Sequence, residues 1–406
     1  MKNERITIGI ALIIIFMIFV PRATVLVLLF SAALSVQELW QLRRQPRSWM
    51  MPLPTSIVYL LIALSGWAFV GNLWHFSDHP EIINAFKMAG IMGAGLVVLV
   101  HPPRRDILAL PAFGKGLQYG IAIGAIGIGF AAAYAYFTGQ ALWGSYLDDP
   151  LTPLNNSAVL LSLFLWPALF CATNGSNKRA MFLVFAVIGV LAILSSLASL
   201  CAALIGLLVV FACRRIKRRT SIAIAGVISA MVVLAPYGIK MSGASILEQP
   251  AVFADANLSV PKLFRPRLAI WAFATEKIFM KPWLGWGFDS SRDIPKEDHR
   301  LSPNMEIMPL HPHNMSLQMR LELGMPGVGL LAALIFLSLY WLTVFTDDQR
   351  YRGFALAPAF GWLFIANVSF GMWQTWWIAT AFLLVVAMRQ IFFNHTQQQH
   401  ESYLST

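Results

Sequence analysis

The chain is short of charge. Only 12% of its 406 residues are Asp, Glu, Lys or Arg, against about 25% in a soluble domain. Acidic residues are the scarcer kind, 19 against 30 basic ones. The three cysteines (Cys171, Cys201, Cys213) fall in apolar segments without paired spacing, so they read as small core residues, neither disulfides nor zinc ligands. There is no P-loop, no Asp-x-Asp triplet and no Gly-x-Ser-x-Gly elbow. Residue-by-residue alternation is missing, which excludes a transmembrane barrel. No small-x-small cleavage site follows the apolar stretch 6–20, which ends at Pro21-Arg22, so it reads as a first span or signal anchor. No internal repeat is evident, which speaks against an inverted-repeat transporter.

What is present is apolar surface, 58% of the residues. Runs of about 20 apolar residues recur from end to end, each long enough to cross a bilayer as a helix. The expected fold is an all-α integral membrane protein of about twelve transmembrane helices. Spans are expected near 6–20, 23–40, 55–73, 82–100, 113–137, 157–173, 180–195, 197–213, 221–238, 325–345, 353–370 and 374–391. The run 180–213 is too long for one ordinary span and is divided at 195–199 as a hairpin; one long tilted helix is the alternative.

Charge arbitrates. With the division, Arg43, Arg44, Arg47, Arg104, Arg105, Lys178, Arg179, the basic run 214–219, Arg350, Arg352 and Arg389 fall on one side, the cytoplasm by the positive-inside rule, with both termini. The net charge of +11 is thereby accounted for without nucleic acid as a partner. The expected layout is 1–238 as nine spans, 239–324 as one large extracytoplasmic loop, 325–391 as three more spans and 392–406 as a cytoplasmic tail. That loop carries Lys240, Lys262, Arg265, Arg267, Lys277, Lys281, Arg292, Lys296 and Arg300. So many cations beside a bilayer suggest an anionic ligand. Gly116, Gly120 and Gly124, four apart in the fifth span, read as helix-packing positions.

Two stretches of the loop carry candidate chemistry. In 263–287, Pro266 can open a helix at its first turn and Lys281-Pro282 should end it. Arg267, Trp271 and Thr275 then share one side at steps of four. The reading is a short helix along the membrane surface, anchored by aromatics. Arg265 and Arg267 at its start have forked donors suited to phosphate oxygens, in the favourable field of a helix N-terminus. They fit a diphosphate clamp, and equally interfacial arginines gripping lipid headgroups.

In 311–329, Pro309 and Pro312 keep the chain non-helical before His313, and Asn314 or Ser316 can cap the helix that follows. A neutral imidazole at this junction can accept a proton from a sugar hydroxyl. A histidine bonded only to backbone is the plainer alternative. Gln318 and Glu322 share a face at i, i+4, while Glu322 is not on the face of His313. A metal pair of His311 and His313 lacks a third ligand by spacing. Asp148-Asp149-Pro150 fits a divalent-cation site or a solvated turn.

His313-Asn314, then nine residues, then Gly324-Met325-Pro326-Gly327, resembles the motif of the O-antigen ligase family. The stretch 267–289 resembles that family's segment running from Arg to Pro-x-x-Gly-x-Gly. The resemblance covers most of the chain in architecture and about 65 residues in motif. It departs where the family carries Arg-x-x-x-Leu before the large loop: Ser196 stands where the arginine would be. Arg104 and Leu108 fit that pattern, but on the cytoplasmic side.

The resemblance implies a GT-C-like glycosyltransferase of the bacterial inner membrane, its site facing the periplasm. It would transfer an undecaprenyl-diphosphate-linked O-antigen to lipid A–core, with inversion and without metal or other cofactor. His313 would be the catalytic base, and Arg265 and Arg267 would bind the diphosphate. Asn314, Gly324, Gly327 and Trp271 would support them. Membrane lipids would surround a monomer. O-antigen polymerase and protein O-oligosaccharyltransferase share the donor and stand as alternatives. The chain stops soon after its last span, which favours the ligase over the often longer protein O-oligosaccharyltransferases. A lipid-linked glycan transporter is the non-enzyme alternative, and it would want more charge inside the spans than Lys87 supplies.

Overall fold

The computed structural model describes residues 2–41, 53–75, 82–101, 110–142, 151–173, 177–194, 196–247, 265–296, 300–302, 305–308 and 310–404. In chain order its helices are α1 (Lys2–Phe19), α2 (Ala23–Gln41), α3 (Thr55–Val70), α4 (Ile82–Val100), α5 (Leu110–Thr138), α6 (Asn155–Thr173) and α7 (Asn177–Ile193). There follow α8 (Leu197–Cys213), α9 (Arg218–Leu247), α10 (Arg265–Met280), α11 (Met315–Val344), α12 (Gln349–Val368) and α13 (Thr375–Leu404). Two very short antiparallel strands, β1 (Arg300–Ser302) and β2 (Met305–Glu306), precede α11.

Every expected span falls on a helix, and α7 ends before α8 begins, so the run 180–213 is two helices. Among the described residues eight helical segments are long and apolar enough to cross a membrane: Ala23–Trp40, Thr55–Trp74, Ile82–Val100, Ala112–Thr138, Thr152–Thr173, Arg218–Met241, Met315–Val344 and Thr375–Phe392. The other four expected spans differ for plain reasons. Helices α7 and α8 are each 17 residues long, and α1 and α12 carry charged residues in their first turns. Helix α9 also continues beyond its expected end at 238, to Leu247, despite Pro236.

Close approach follows small residues. On α5, a Cβ added at Gly116, Gly120 or Gly124 would come within 2.6 Å of Ile10 Cβ, 2.6 Å of Ile14 Cβ and 2.4 Å of Ile18 Cδ1 in turn. The four-residue spacing thus lays α1 into a groove of α5, as a small-xxx-small pattern permits. Helices α8 and α12 meet the same way, with Gly353 against Val210 and Gly361 against Ala202. Each eight-residue step along α12 matches an eight-residue step back along α8.

Three arginines serve the ends of other helices. Arg350 donates to Thr173 Oγ1 (2.8 Å) at the end of α6. Arg352 donates to the carbonyls of Cys213 (3.4 Å) and Ile216 (2.9 Å), just past α8. Arg389 donates to Leu99 O (2.5 Å) at the end of α4. Carbonyls in a helix's last turn lack intrahelical donors and carry the negative end of its dipole, so a guanidinium is a fitting partner. Phe392 touches both Phe345 and Tyr351, which places α13 and the start of α12 together at this end of the bundle.

At the opposite end α10 packs between α9 and α11. Its Ala269, Ile270, Phe273, Ala274 and Ile278 form an apolar cluster with Trp286, Met308, Leu317 and Leu321, separate from the main bundle core. The apolar side of α10 therefore turns into protein, where the sequence suggested a helix lying along the membrane surface. Between α3, α4, α11, α12 and α13 lies an open apolar cleft of about 250 Å³, lined by residues such as Leu61, Met92, Leu331, Trp362 and Phe382 and reaching Met372.

Candidate active site

The two motif stretches are halves of one joint. Gly324 interrupts α11 with φ 64° and ψ −158°. A Cβ there would sit 1.9 Å from Trp283 O, so only glycine fits. The next amide, Met325 N, donates to Trp283 O (3.0 Å) and Pro282 O (3.2 Å). On the facing turn, Gly285 (φ 74°) lies against Glu322 O, and Gly287 N donates to that same carbonyl (2.9 Å). Trp286 N donates to Leu321 O (2.9 Å) and Trp67 Nε1 to Leu323 O (2.9 Å). The carbonyls that the break in α11 releases are thus taken up by the Pro-x-x-Gly-x-Gly turn and by α3. Gly327, beyond the break, presses on Leu323 Cβ (2.3 Å for an added Cβ).

His313 stands at the entry to α11 with φ 52°, one of two non-glycine residues with positive φ among those described. Such a conformation costs an ordinary residue about 1–3 kcal/mol and persists when its surroundings hold it. They do so from three sides. His313 N donates to His311 Nδ1 (3.2 Å). Trp271 Nε1, from α10, donates to Pro312 O (2.8 Å). His313 Nδ1 lies 2.5 Å from Ser369 O, at the end of α12. A carbonyl only accepts, so Nδ1 carries the proton and Nε2 keeps its lone pair. Asn314 caps α11, accepting from Leu317 N (3.0 Å), and Ser316 Oγ donates to Asn367 Oδ1 (2.6 Å).

Electrostatics keep the pair neutral. Burial lowers the His313 pKa from the ordinary 6.5; the bond to Ser369 O opposes this and the positive Arg267 adds to it. His311 is pushed down to about 3, by burial first, then by His313 and Arg292. Arg267 is half-buried, and burial lowers its pKa also.

Of the expected residues, His313, Asn314 and Trp271 meet at the site, Arg267 is close enough for its charge to act on His313, and Gly324 and Gly327 shape the joint beneath it. Arg265 opens α10, and its side chain lies outside the described residues, as do Asp148, Asp149 and Pro150. Among the described residues no three His, Cys, Asp or Glu side chains converge as metal ligands would.

Sequence reasoning missed the turn 369–374. It lies between α12 and α13, remote in sequence, and contributes Ser369 O, Gly371 against the His311 ring, and Gln374 Nε2 at 3.5 Å from His311 Nε2. The available signal was slight: Ser369, Gly371 and Gln374 interrupting two apolar runs. Glu322 was also undervalued. It is 0% exposed, yet its carboxylate accepts four hydrogen bonds.

Fold and site together define a multi-pass helical membrane protein whose polar centre is assembled at one end of the bundle from loop–helix junctions. The family model for O-antigen ligase matches residues 160–332, and over that segment the chain is similar to the O-antigen ligase family. Curated relatives bear the name "putative polysaccharide ligase". One from Rickettsia typhi is 35% identical over 30% of this chain and 31% of its own length. One from Rickettsia prowazekii is 31% identical over 34% of this chain and 35% of its own. One from Rickettsia bellii is 26% identical over 81% of this chain and 78% of its own. The match thus spans about a third of the first two relatives and most of the third.

Proposed function

We propose that the chain is an O-antigen-type glycan ligase of the bacterial inner membrane. The end of the bundle carrying His313 faces the periplasm, within the loop region 239–324. Its donor is a polysaccharide on undecaprenyl diphosphate, and its acceptor is a sugar hydroxyl of lipid A–core. His313 Nε2 takes the hydroxyl proton. The oxygen attacks the anomeric carbon from the face opposite the diphosphate, and a new glycosidic bond forms with inversion. The bond from that carbon to the phosphate oxygen breaks, and undecaprenyl diphosphate leaves with the electron pair. Arg267 and Arg265 hold its charge as it develops. The cleft reaching Met372 takes the prenyl chain.

The observation that carries this reading is the 2.5 Å contact of His313 Nδ1 with Ser369 O, which leaves Nε2 as a neutral, oriented acceptor. The test is reconstitution: purified protein in liposomes, an undecaprenyl-diphosphate glycan and lipid A–core, with EDTA present, and the joined product read on a gel. Product from the natural protein and none from His313→Gln is expected. No product from the folded natural protein, with a second lipid-linked glycan or a pilin peptide acting as acceptor instead, would overturn the ligase reading.

A further inference from the structure

The buried carboxylate of Glu322 has no part in the reaction as proposed, yet it is the most heavily bonded side chain near the site. Its Oε1 accepts from Ser291 Oγ and from Gln318 Nε2 (3.1 Å). Its Oε2 accepts from Asp289 N (3.1 Å) and Trp373 Nε1 (2.5 Å). Gln318, one turn earlier on α11, accepts from Met372 N (2.8 Å) through its Oε1. Glu322 therefore grips Trp373 directly and Met372 through Gln318.

These contacts fall in the same turn, 369–374, whose first residue supplies the carbonyl on His313 Nδ1. That turn also meets His311, through Gly371 and Gln374. The Trp373 ring is braced from its other side by Phe288, with ring centroids 4.8 Å apart. Glu322 lies nine residues beyond His313, on the stretch of α11 before its break at Gly324, and His313 stands just ahead of that helix's cap. A fully buried carboxylate is costly to desolvate, and four donors are what make it tolerable.

We infer that Glu322 is a positioning residue for His313. Through Trp373 and Gln318 it fixes the turn 369–374, so that Ser369 O holds the proton on Nδ1 and Nε2 stays unprotonated and aimed. This rests on the reading of His313 as the base. Loss of the strut leaves the imidazole present but free to rotate and to exchange tautomers, and a displacement of about 1 Å in such a group can cost on the order of a hundredfold in rate.

The test is solid-state nitrogen NMR on histidine-labelled full-length protein in liposomes, His313 being assigned by its loss in His313→Gln. The probes are Trp373→Phe, which removes the N–H donor with part of the ring but keeps an aromatic against Phe288, and Glu322→Gln. In the natural protein a fixed Nδ1–H form of His313 is expected. Its absence would overturn the reading of His313 itself. In Trp373→Phe the two nitrogen signals should move toward the mixed tautomers of a free imidazole. Turnover should fall on the order of a hundredfold, with KM for the acceptor nearly unchanged. A Trp373→Phe protein that keeps the fixed Nδ1–H form and full turnover would overturn the strut while leaving His313 as the base. Glu322→Gln, if it folds, should behave the same way; if it does not, Trp373→Phe decides alone.

Discussion

The imidazole Nδ1 of His313 lies 2.5 Å from the carbonyl oxygen of Ser369, although the two residues are 56 positions apart. One ends the long polar stretch before α11, and the other ends α12. Their meeting converts a surface histidine of a motif into an oriented acceptor, and the first prediction follows from it. His313→Gln keeps a polar group of similar size but has no basic nitrogen. Transfer should fall about 10²- to 10⁴-fold, the usual worth of a general base, with helix content unchanged by circular dichroism.

Acidity should act on the same atom. Burial favours the neutral form, so the His313 pKa lies below 6.5. Nε2 then remains available throughout neutral pH, and kcat/KM should be flat there and fall only in acid, with a midpoint under 6.5. A midpoint at or above 6.5 would contradict the site. Stability runs the same way: the unfolded chain takes up protons near 6.5 and the folded one resists them. Folding is therefore fully favoured above 6.5 and loses ground as pH drops, for His311 over the window from 6.5 to about 3.

Arg267 supplies a second test. Arg267→Lys keeps a positive charge but loses the planar fork that matches phosphate oxygens. If the guanidinium stabilises the leaving diphosphate, kcat should fall by roughly 10² to 10³, the effect of removing one transition-state donor. The readout is initial rate at saturating donor.

The joint between the motif halves makes a structural prediction. Gly324→Ala places a Cβ 1.9 Å from Trp283 O at φ 64°. The left-handed backbone alone costs about 1–2 kcal/mol, and the clash forces the Pro-x-x-Gly-x-Gly turn away from α11. Thermal unfolding in detergent should show a clearly lowered transition. Gly329→Ala, with nothing within 4 Å of the added carbon, should leave it in place.

On α5 the equivalent comparison concerns bundle packing. Gly120→Val drives a branched side chain into Ile14, already 2.6 Å from a modest Cβ, and should destabilise by about 1–3 kcal/mol. Gly189→Ala meets open space and should be near neutral by the same melt.

The helices were legible because spanning a bilayer leaves little choice. The apolar runs, the hairpin at 195–199 and the end of α10 before Pro282 all follow from length and backbone chemistry. The stripe at Gly116, Gly120 and Gly124 was legible for the same reason, since four-residue spacing has one meaning on a helix. His313, Asn314 and Trp271 were legible as a set because they lie near each other in sequence or on one helix face. Ser369 was not, because what it contributes is a carbonyl, a group every residue owns. Glu322 was visible as a partner of Gln318, but its other three donors come from 289–291 and Trp373, whose proximity depends on how α11, α12 and α13 fold back on one another.

Arg350, Arg352 and Arg389 are among the charges that would tell the chain which way to insert, and each is also bonded at the end of another helix. Orientation and assembly therefore draw on the same atoms.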